Sequence, residues 1–209
     1  LTLKYDRSYY CFMTLQKHIK KEQILNHGIQ LLMKHGYHGT GIKLILDTVK
    51  VPKGSFYSYF DSKENFTSEA IAHYIAPFIS RLQGFLDNPD LNGYQAIKAY
   101  FDSLITDLEQ SDFSGGCLLG DMMGEISTSS ELCRQTLLAA ISDYCQRISQ
   151  GLSDGQAFGI IRDDMSADNM AMLLFDQWQG ALLHMKVERS TAPLSRCLSQ
   201  LLDDYFLQR

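Results

Sequence analysis

No two cysteines in this sequence stand in a CxxC arrangement: the five present (Cys11, Cys117, Cys133, Cys145, Cys197) are odd in number and widely separated. That spacing argues against both a disulfide framework and a zinc site. No apolar run approaches the roughly 18 residues needed to span a bilayer. The opening segment LTLKYDRSYYCFM has neither the hydrophobic stretch nor the small-residue cleavage site of a secretory signal. A reducing cytoplasm is therefore the expected compartment, with no membrane partner. Phosphate-binding glycine loops and HExxH helices are missing, and the six histidines lack ligand spacing, since His35 and His38 straddle an expected helix end. Neither a metal, a cofactor nor a catalytic group is expected. Internal repeats and low-complexity tracts are absent too. What remains is ordinary: with 45% hydrophobic and 21% charged residues, the 209-residue chain has the composition of a globular protein of one or two modest domains.

Charge is the first positive signal. The formal net charge is −5, yet residues 1–65 hold ten Lys/Arg against five Asp/Glu, a balance of +5 that leaves −10 for the remainder. A basic head joined to an acidic body suits a phosphate-binding module attached to a part that stays away from nucleic acid.

Apolar periodicity predicts helices throughout. Ile19, Ile24, Leu25, Ile29, Leu32 and Met33 recur at three- and four-residue intervals from about His18, and Gly36 is the expected C-terminal cap. Thr40 is the expected N-cap of a short helix carrying Ile42, Ile45 and Leu46; after a turn at Val49 to Val51, Pro52 opens another in its first turn. Ser62 caps a fourth helix, in which Pro77 predicts a kink. Further helices are expected over 93–110, at the end of SDFSGGCLLGDMMGE, over 130–150, and, after a loop at about 154–164, over 167–187 and 193–207. The reading is all-α: an N-terminal three-helix unit (1–64), joined by the helix from about 62 to a larger helical part (65–209).

Residues 40–60 have the spacing of a helix-turn-helix, whose second helix enters the major groove. Phe56 and Phe60 share one face and can pack on Ile42, Ile45 and Val51, which leaves Lys53, Ser55, Tyr57, Ser58 and Tyr59 to the other face. Gly54 and Ser55 are small enough for close approach to a DNA backbone, and Lys and Tyr suit phosphate oxygens. The stretch GYHGTGIKLILDTVKVPKGSFYSYFDSKENF resembles the signature of the TetR/AcrR family of transcriptional regulators. That resemblance implies phosphate contacts from Thr40 and Lys63 and DNA-facing roles for Lys53, Gly54, Ser55, Tyr57, Ser58 and Tyr59. Lys17, Lys20 and Lys21 would add sequence-independent attraction. Gly41 stands where the family usually has Ser or Thr, and Lys50 where it usually has a turn glycine.

For the larger part the resemblance implies a ligand pocket and a dimer interface, hence a repressor released from a palindromic operator by a small-molecule effector. Chemistry alone selects Tyr100, Phe101, Leu104, Phe113, Cys117, Met122, Met123, Tyr144, Met172, Phe175 and Trp178 as candidate pocket walls, although buried residues of this kind also simply fill cores. Trp178, Gly180, Ala181 and Leu182, with Leu198, Leu201, Leu202 and Phe206, are the candidate dimer contact through the last two helices. Cys117 lies in SGGCLLGD, where a following helix start would favour the thiolate. Some relatives with a similar Gly-Cys-Leu segment, including the N-ethylmaleimide-reductase repressor type, sense electrophiles or oxidants through that cysteine, with a lysine where Lys186 falls. A buried, inert Cys117 is the alternative. Two other functional classes stay open: an enzyme using Cys117 with His184 as nucleophile and base, and a helical protein-binding module without DNA function.

Overall fold

The computed structural model describes residues 7–111, 116–126 and 129–208. The helices, in chain order, are α1 (Arg7–Gly39), α2 (Ile42–Val49), α3 (Lys53–Phe56), α4 (Lys63–Leu86), α5 (Gly93–Gln110), α6 (Leu118–Ile126), α7 (Glu131–Ala157), α8 (Ala167–Glu188) and α9 (Ala192–Gln200). A single π-helical turn, Leu201–Tyr205, extends α9. Among the described residues the extended pairing is one isolated bridge, Ile161 with Leu207. The all-α expectation holds, and no described helix is long and apolar enough to cross a membrane.

Local chemistry sets most of the boundaries. Ser62 caps α4 by accepting the Asn65 N–H at 3.0 Å. Asn92 and Gln95 form a reciprocal capping box at the start of α5, at 2.9 and 3.0 Å. Ser130 and Ser166 accept the N–H three residues on, which starts α7 and α8. Gly36 breaks α1 as expected, with φ 70° and ψ 177°.

Three expectations need correcting. The first helix begins at Arg7 rather than near His18. Thr40 is not the cap of α2: Gly41 is, without a side-chain bond, because the Thr40 hydroxyl points inward and donates to Leu31 O at 3.1 Å. Helix α7 runs to Ala157, so the expected loop at 154–164 starts about four residues later, and the chain reverses through Gly159 at φ 67°.

Helices α1 to α3 pack around Ile24, Ile45, Leu46, Phe56 and Phe60, and Phe66 at the start of α4 joins them; all are buried. Phe60 meets Phe66 edge-on, with ring centroids 5.1 Å apart. Three buried aromatic rings supply much of the apolar burial in so small a unit. Helices α4 to α9 surround a second set that includes Tyr100, Phe101, Leu118, Met122, Ile148 and Trp178. The two sets are continuous through α4 and through α6, which packs on α1.

Candidate functional site

The tight connection between α2 and α3 puts α3 on the surface. Lys50 ends α2 in the left-handed region, at φ 53° and ψ 46°, and Pro52 caps α3 one residue ahead of its first turn. Because Phe56 and Phe60 face inward and are fully buried, the intervening residues must face out. Tyr57 is 55% exposed, Gly54 and Ser58 are exposed, and Ser55 and Tyr59 are half-buried. The Ser58 hydroxyl donates to Ser55 O at 2.6 Å, which leaves its lone pairs outward. From α1, the Lys17 ammonium stands 5.9 Å from the Tyr59 ring centroid. Lys53 opens α3, but its side chain lies outside the described residues. One surface thus gathers Lys17, Gly54, Ser55, Tyr57, Ser58 and Tyr59.

Two of the implied phosphate ligands are elsewhere. Thr40 is fully buried, with its hydroxyl committed to α1, so its side chain is not presented to a phosphate. Lys63 turns toward the α1–α2 connection, donates to Tyr37 O at 2.5 Å and sits 4.1 Å from the Tyr37 ring centroid. Burial lowers its pKa, and the Glu125 carboxylate partly opposes that shift. Of the other basic residues, Lys21 pairs with Glu69 at 2.5 Å and Lys20 reaches Val49 O at 3.5 Å.

The body holds a cavity of about 310 Å³, within the range of small-molecule sites. Leu104, Cys117, Tyr144, Phe175 and Trp178 line it as expected from their chemistry. Tyr100, Phe101 and Met122 do not; they are buried behind it, and Tyr144 donates to the Tyr100 hydroxyl at 3.0 Å. Met123 and Met172 point to solvent, and Phe113 lies outside the described residues. The sequence reading missed the α4 wall of Tyr74, Ile75 and Phe78, together with Met33, Asp107 and Gln179. Tyr74 and Phe78 are four apart with rings 5.0 Å apart, a spacing visible in sequence but identical to that of core aromatics.

Cys117 stands at the cavity edge, just before α6, half-buried by surface area while its sulfur is enclosed among polar donors. Burial raises its pKa. Hydrogen bonds from Gly120 N–H, the Gln179 amide, Leu119 N–H and the Tyr74 hydroxyl act in the opposite direction without reversing it. Desolvation outweighs the donors at the helix start, so the thiol pKa is held above its ordinary value rather than below it. Gln179 Nε2 lies 3.4 Å from the sulfur, and the Tyr74 hydroxyl also donates to Gly116 O at 3.3 Å. Lys186 reaches this segment from α8, packs against Gly116 and pairs with Asp121 at 3.3 Å.

Residues 24–70 match the model of the tetR family of bacterial regulatory proteins, and residues 93–201 match that of the tetracyclin repressor-like C-terminal domain. The chain belongs to the TetR family. It is 30% identical to the transcriptional repressor DhaR of Mycobacterium sp. (strain GP1), over 86% of this chain and 88% of that protein. The repressor NemR of Escherichia coli K12 is likewise 30% identical, over 88% and 93%. The crystal structure of E. coli NemR in its reduced form superposes with a TM-score of 0.80 at 29% identity, covering 92% of this chain and 99% of that one. A TetR regulatory protein from Rhodobacter sphaeroides gives 0.80 at 28% identity, covering 87% and 96%. This TetR-family chain is thus a helix-turn-helix DNA-binding transcriptional regulator with an N-terminal DNA-binding domain and a helical C-terminal domain.

Within a TetR regulator the remaining surface features change meaning. The string GLSDG at 151–155 has the GxSxG spacing of a hydrolase nucleophile turn. It lies inside α7 with no strand before it, so Ser153 lacks the strained strand-to-helix elbow such chemistry needs. Among the described residues no group of three His, Cys, Asp or Glu is placed to hold a metal. Most residues expected to form the dimer contact (Trp178, Ala181, Leu182, Leu198, Leu202, Phe206) are already buried within this chain. What α8 leaves uncovered is another stripe: Met172 (43% exposed), Gly180, Leu183 (56%) and Val187 (85%).

Proposed function

We propose that this protein is a repressor that binds a palindromic operator in the cytoplasm as a homodimer and lets go when a small molecule enters the cavity of its C-terminal part. One observation carries the reading: a surface of Lys17, Gly54, Ser55, Tyr57, Ser58 and Tyr59 over a fully buried Phe56–Phe60–Phe66 core, coupled through α4 and α6 to a cavity of about 310 Å³. Rigid backing is what a groove-reading element needs, since recognition requires side chains held in register with base edges. Lys53, first residue of α3, belongs to the same proposed contact set.

The dimer is proposed to form on α8 and α9 through the Met172–Leu183–Val187 stripe, with Gly180 allowing close helix approach. Two copies would then present two readers to successive turns of one DNA face. We place the boundary between reader and sensory domain near residue 64, where α4 begins, and assign the chain no enzymatic role.

Mostly apolar walls with polar ends at Tyr74, Asp107, Cys117 and Gln179 suit a compact effector carrying one polar group. A second reading makes Cys117 the sensor, with Lys186 held nearby by Asp121. The observation favouring it is the set of four hydrogen-bond donors around a sulfur that also borders the cavity. The E. coli relative whose structure is of a reduced form makes a redox-active cysteine a natural comparison.

Both readings are tested by anisotropy binding to genomic fragments that the wild-type protein selects. Tight binding should fall steeply with salt, the slope becoming shallower in Lys17→Ala. Thiol oxidants or alkylating agents should release wild type but not Cys117→Ser if the cysteine is the sensor, and both alike if it is not. Selection of no fragment above nonspecific affinity would remove the repressor reading itself.

A further inference from the structure

The α1–α2 connection is gripped from the body by a single carboxylate. Gly36 takes φ 70°, and the turn that follows aims two consecutive backbone N–H groups at the same point. Glu125 Oε2, from the last turn of α6, accepts both, from Tyr37 at 2.8 Å and from His38 at 3.3 Å. A Cβ placed on Gly36 would collide with this carboxylate, so the glycine supplies both the left-handed backbone and the space. Successive backbone N–H groups of this kind make a concave anion-binding nest. Lys63 of α4 closes it, donating to Tyr37 O while feeling the Glu125 charge. Charge-assisted bonds to backbone N–H are roughly twice as strong as neutral ones.

The other end of the same helix meets the cavity. Asp121 N–H bonds to Cys117 O at 3.0 Å as α6 begins, and Gly116, Cys117 and Leu119 are cavity walls. From Cys117 to Glu125 is about 12 Å of helix axis at 1.5 Å per residue. A rigid rod of two turns therefore has one end in the cavity wall and the other holding the turn that leads into α2.

We propose that Glu125 is the residue through which α6 positions the helix-turn-helix, so that displacing the cavity end of α6 moves the reader by way of the Gly36–Tyr37–His38 nest. The effector half of this statement rests on the cavity reading given above; the positioning half rests on the nest alone. Glu125 touches neither DNA nor the cavity, and it acts by fixing where α2 and α3 sit relative to the body. An interaction with two distinct ends and a differential effect on DNA affinity is what coupling between sites requires.

The test uses the full-length dimer and three variants. Glu125→Ala removes the acceptor, Glu125→Gln keeps an oxygen without the charge, and Gly36→Ala expels the carboxylate while leaving Glu125 in place. Hydrogen exchange at the Tyr37 and His38 amides should accelerate at least tenfold in Glu125→Ala and less in Glu125→Gln, with protection in α7 and α8 unchanged. Operator affinity should fall at least fivefold in Glu125→Ala and Gly36→Ala, and less in Glu125→Gln. Unchanged affinity in Glu125→Ala with the two amides deprotected would overturn the proposal, as would a loss of protection spread over the whole chain.

A coupling arm uses N-ethylmaleimide in a Cys11→Ser background, with the adduct at Cys117 verified by mass. The thiol adds across the maleimide double bond, forming one S–C bond and passing its proton to the neighbouring carbon. The ratio of operator affinities before and after labelling should shrink at least fivefold when Glu125 is Ala; an equal ratio would overturn the coupling. If Cys117 does not label, or labelling releases no DNA from the wild type, the sensor reading fails on its own, and the exchange and affinity arms still decide the role of Glu125.

Discussion

The helix-turn-helix and the sensory body use their aromatic residues in opposite ways. In the first, Phe56, Phe60 and Phe66 are sealed inside while Tyr57 stands out in solvent, so packing residues and the proposed contact residues are different ones only a position apart. In the body, Tyr144, Phe175 and Trp178 serve both purposes: each is buried, and each also faces the cavity. A reader must keep its shape while its surface touches a ligand far larger than itself, so separating core from contact is favourable. A sensor must change its packing when a small molecule arrives, and that is possible only if core residues are the contact. Substitutions should therefore separate stability from binding in the reader and fail to separate them in the body.

The largest expected effect tests the separation directly. Phe56→Ala removes a fully buried ring from a small core and should cost about 3–5 kcal/mol of unfolding free energy, taking operator binding with it. Tyr57→Ala, one residue on, removes an exposed ring and should leave stability within about 0.5 kcal/mol. Its operator affinity should fall by about 1–3 kcal/mol. Urea denaturation and anisotropy on the same preparations check both, and equal losses of stability in the two variants would break the contrast.

The body is sharpened by the Tyr144–Tyr100 hydrogen bond, made at 3.0 Å between buried rings just behind the cavity. Burial raises both phenol pKa values, so the pair stays neutral and its bond is a neutral one. Tyr144→Phe leaves the Tyr100 hydroxyl without its partner, which costs about 1–3 kcal/mol. In the double variant Tyr100→Phe/Tyr144→Phe no unpaired hydroxyl remains, and most of that loss should return. A thermal-melt cycle over the four proteins measures the coupling. Because Tyr144 also lines the cavity, the single variant should change effector response as well as stability, unlike anything at Tyr57.

The same contrast explains what could be read from the sequence. Helix periodicity, the Ser62 cap, the Gly36 break and the outward face of α3 each depend on residues within four positions of one another, and all were legible. Thr40 was misread because its hydroxyl bonds to Leu31, nine residues back, while Gly41 could take the cap position without help. The cavity was half legible. Leu104, Cys117, Tyr144, Phe175 and Trp178 follow from chemistry, but the α4 wall of Tyr74, Ile75 and Phe78 depends on how α4 crosses α5 and α7. Nor does apolar periodicity on the last helices tell which apolar side chains this chain buries itself: Trp178 and Leu202 are in its core, while Met172, Leu183 and Val187 stand outside. The grip of Glu125 on Tyr37 and His38 spans 88 and 87 residues and has no local signal.

The smallest effect lies at Lys50, where the reader departs from its family's usual glycine. Its φ of 53° costs a side-chain-bearing residue about 1 kcal/mol. Glycine would relieve that strain but would enlarge the unfolded ensemble, so Lys50→Gly should stabilise by less than about 1 kcal/mol, read as a small rise in the denaturation midpoint. The position adjoins α3 and is exposed, so its ammonium is free to meet a DNA phosphate as the two helices dock. If it does, Lys50→Gly should bind operator more weakly at low salt and reduce the slope of log affinity against log salt by about 1. A more stable protein with a shallower salt slope would mean that strain in the turn is retained for a contact. A more stable protein with an unchanged slope would make Lys50 a tolerated substitution and return all DNA binding to the face built on Phe56 and Phe60.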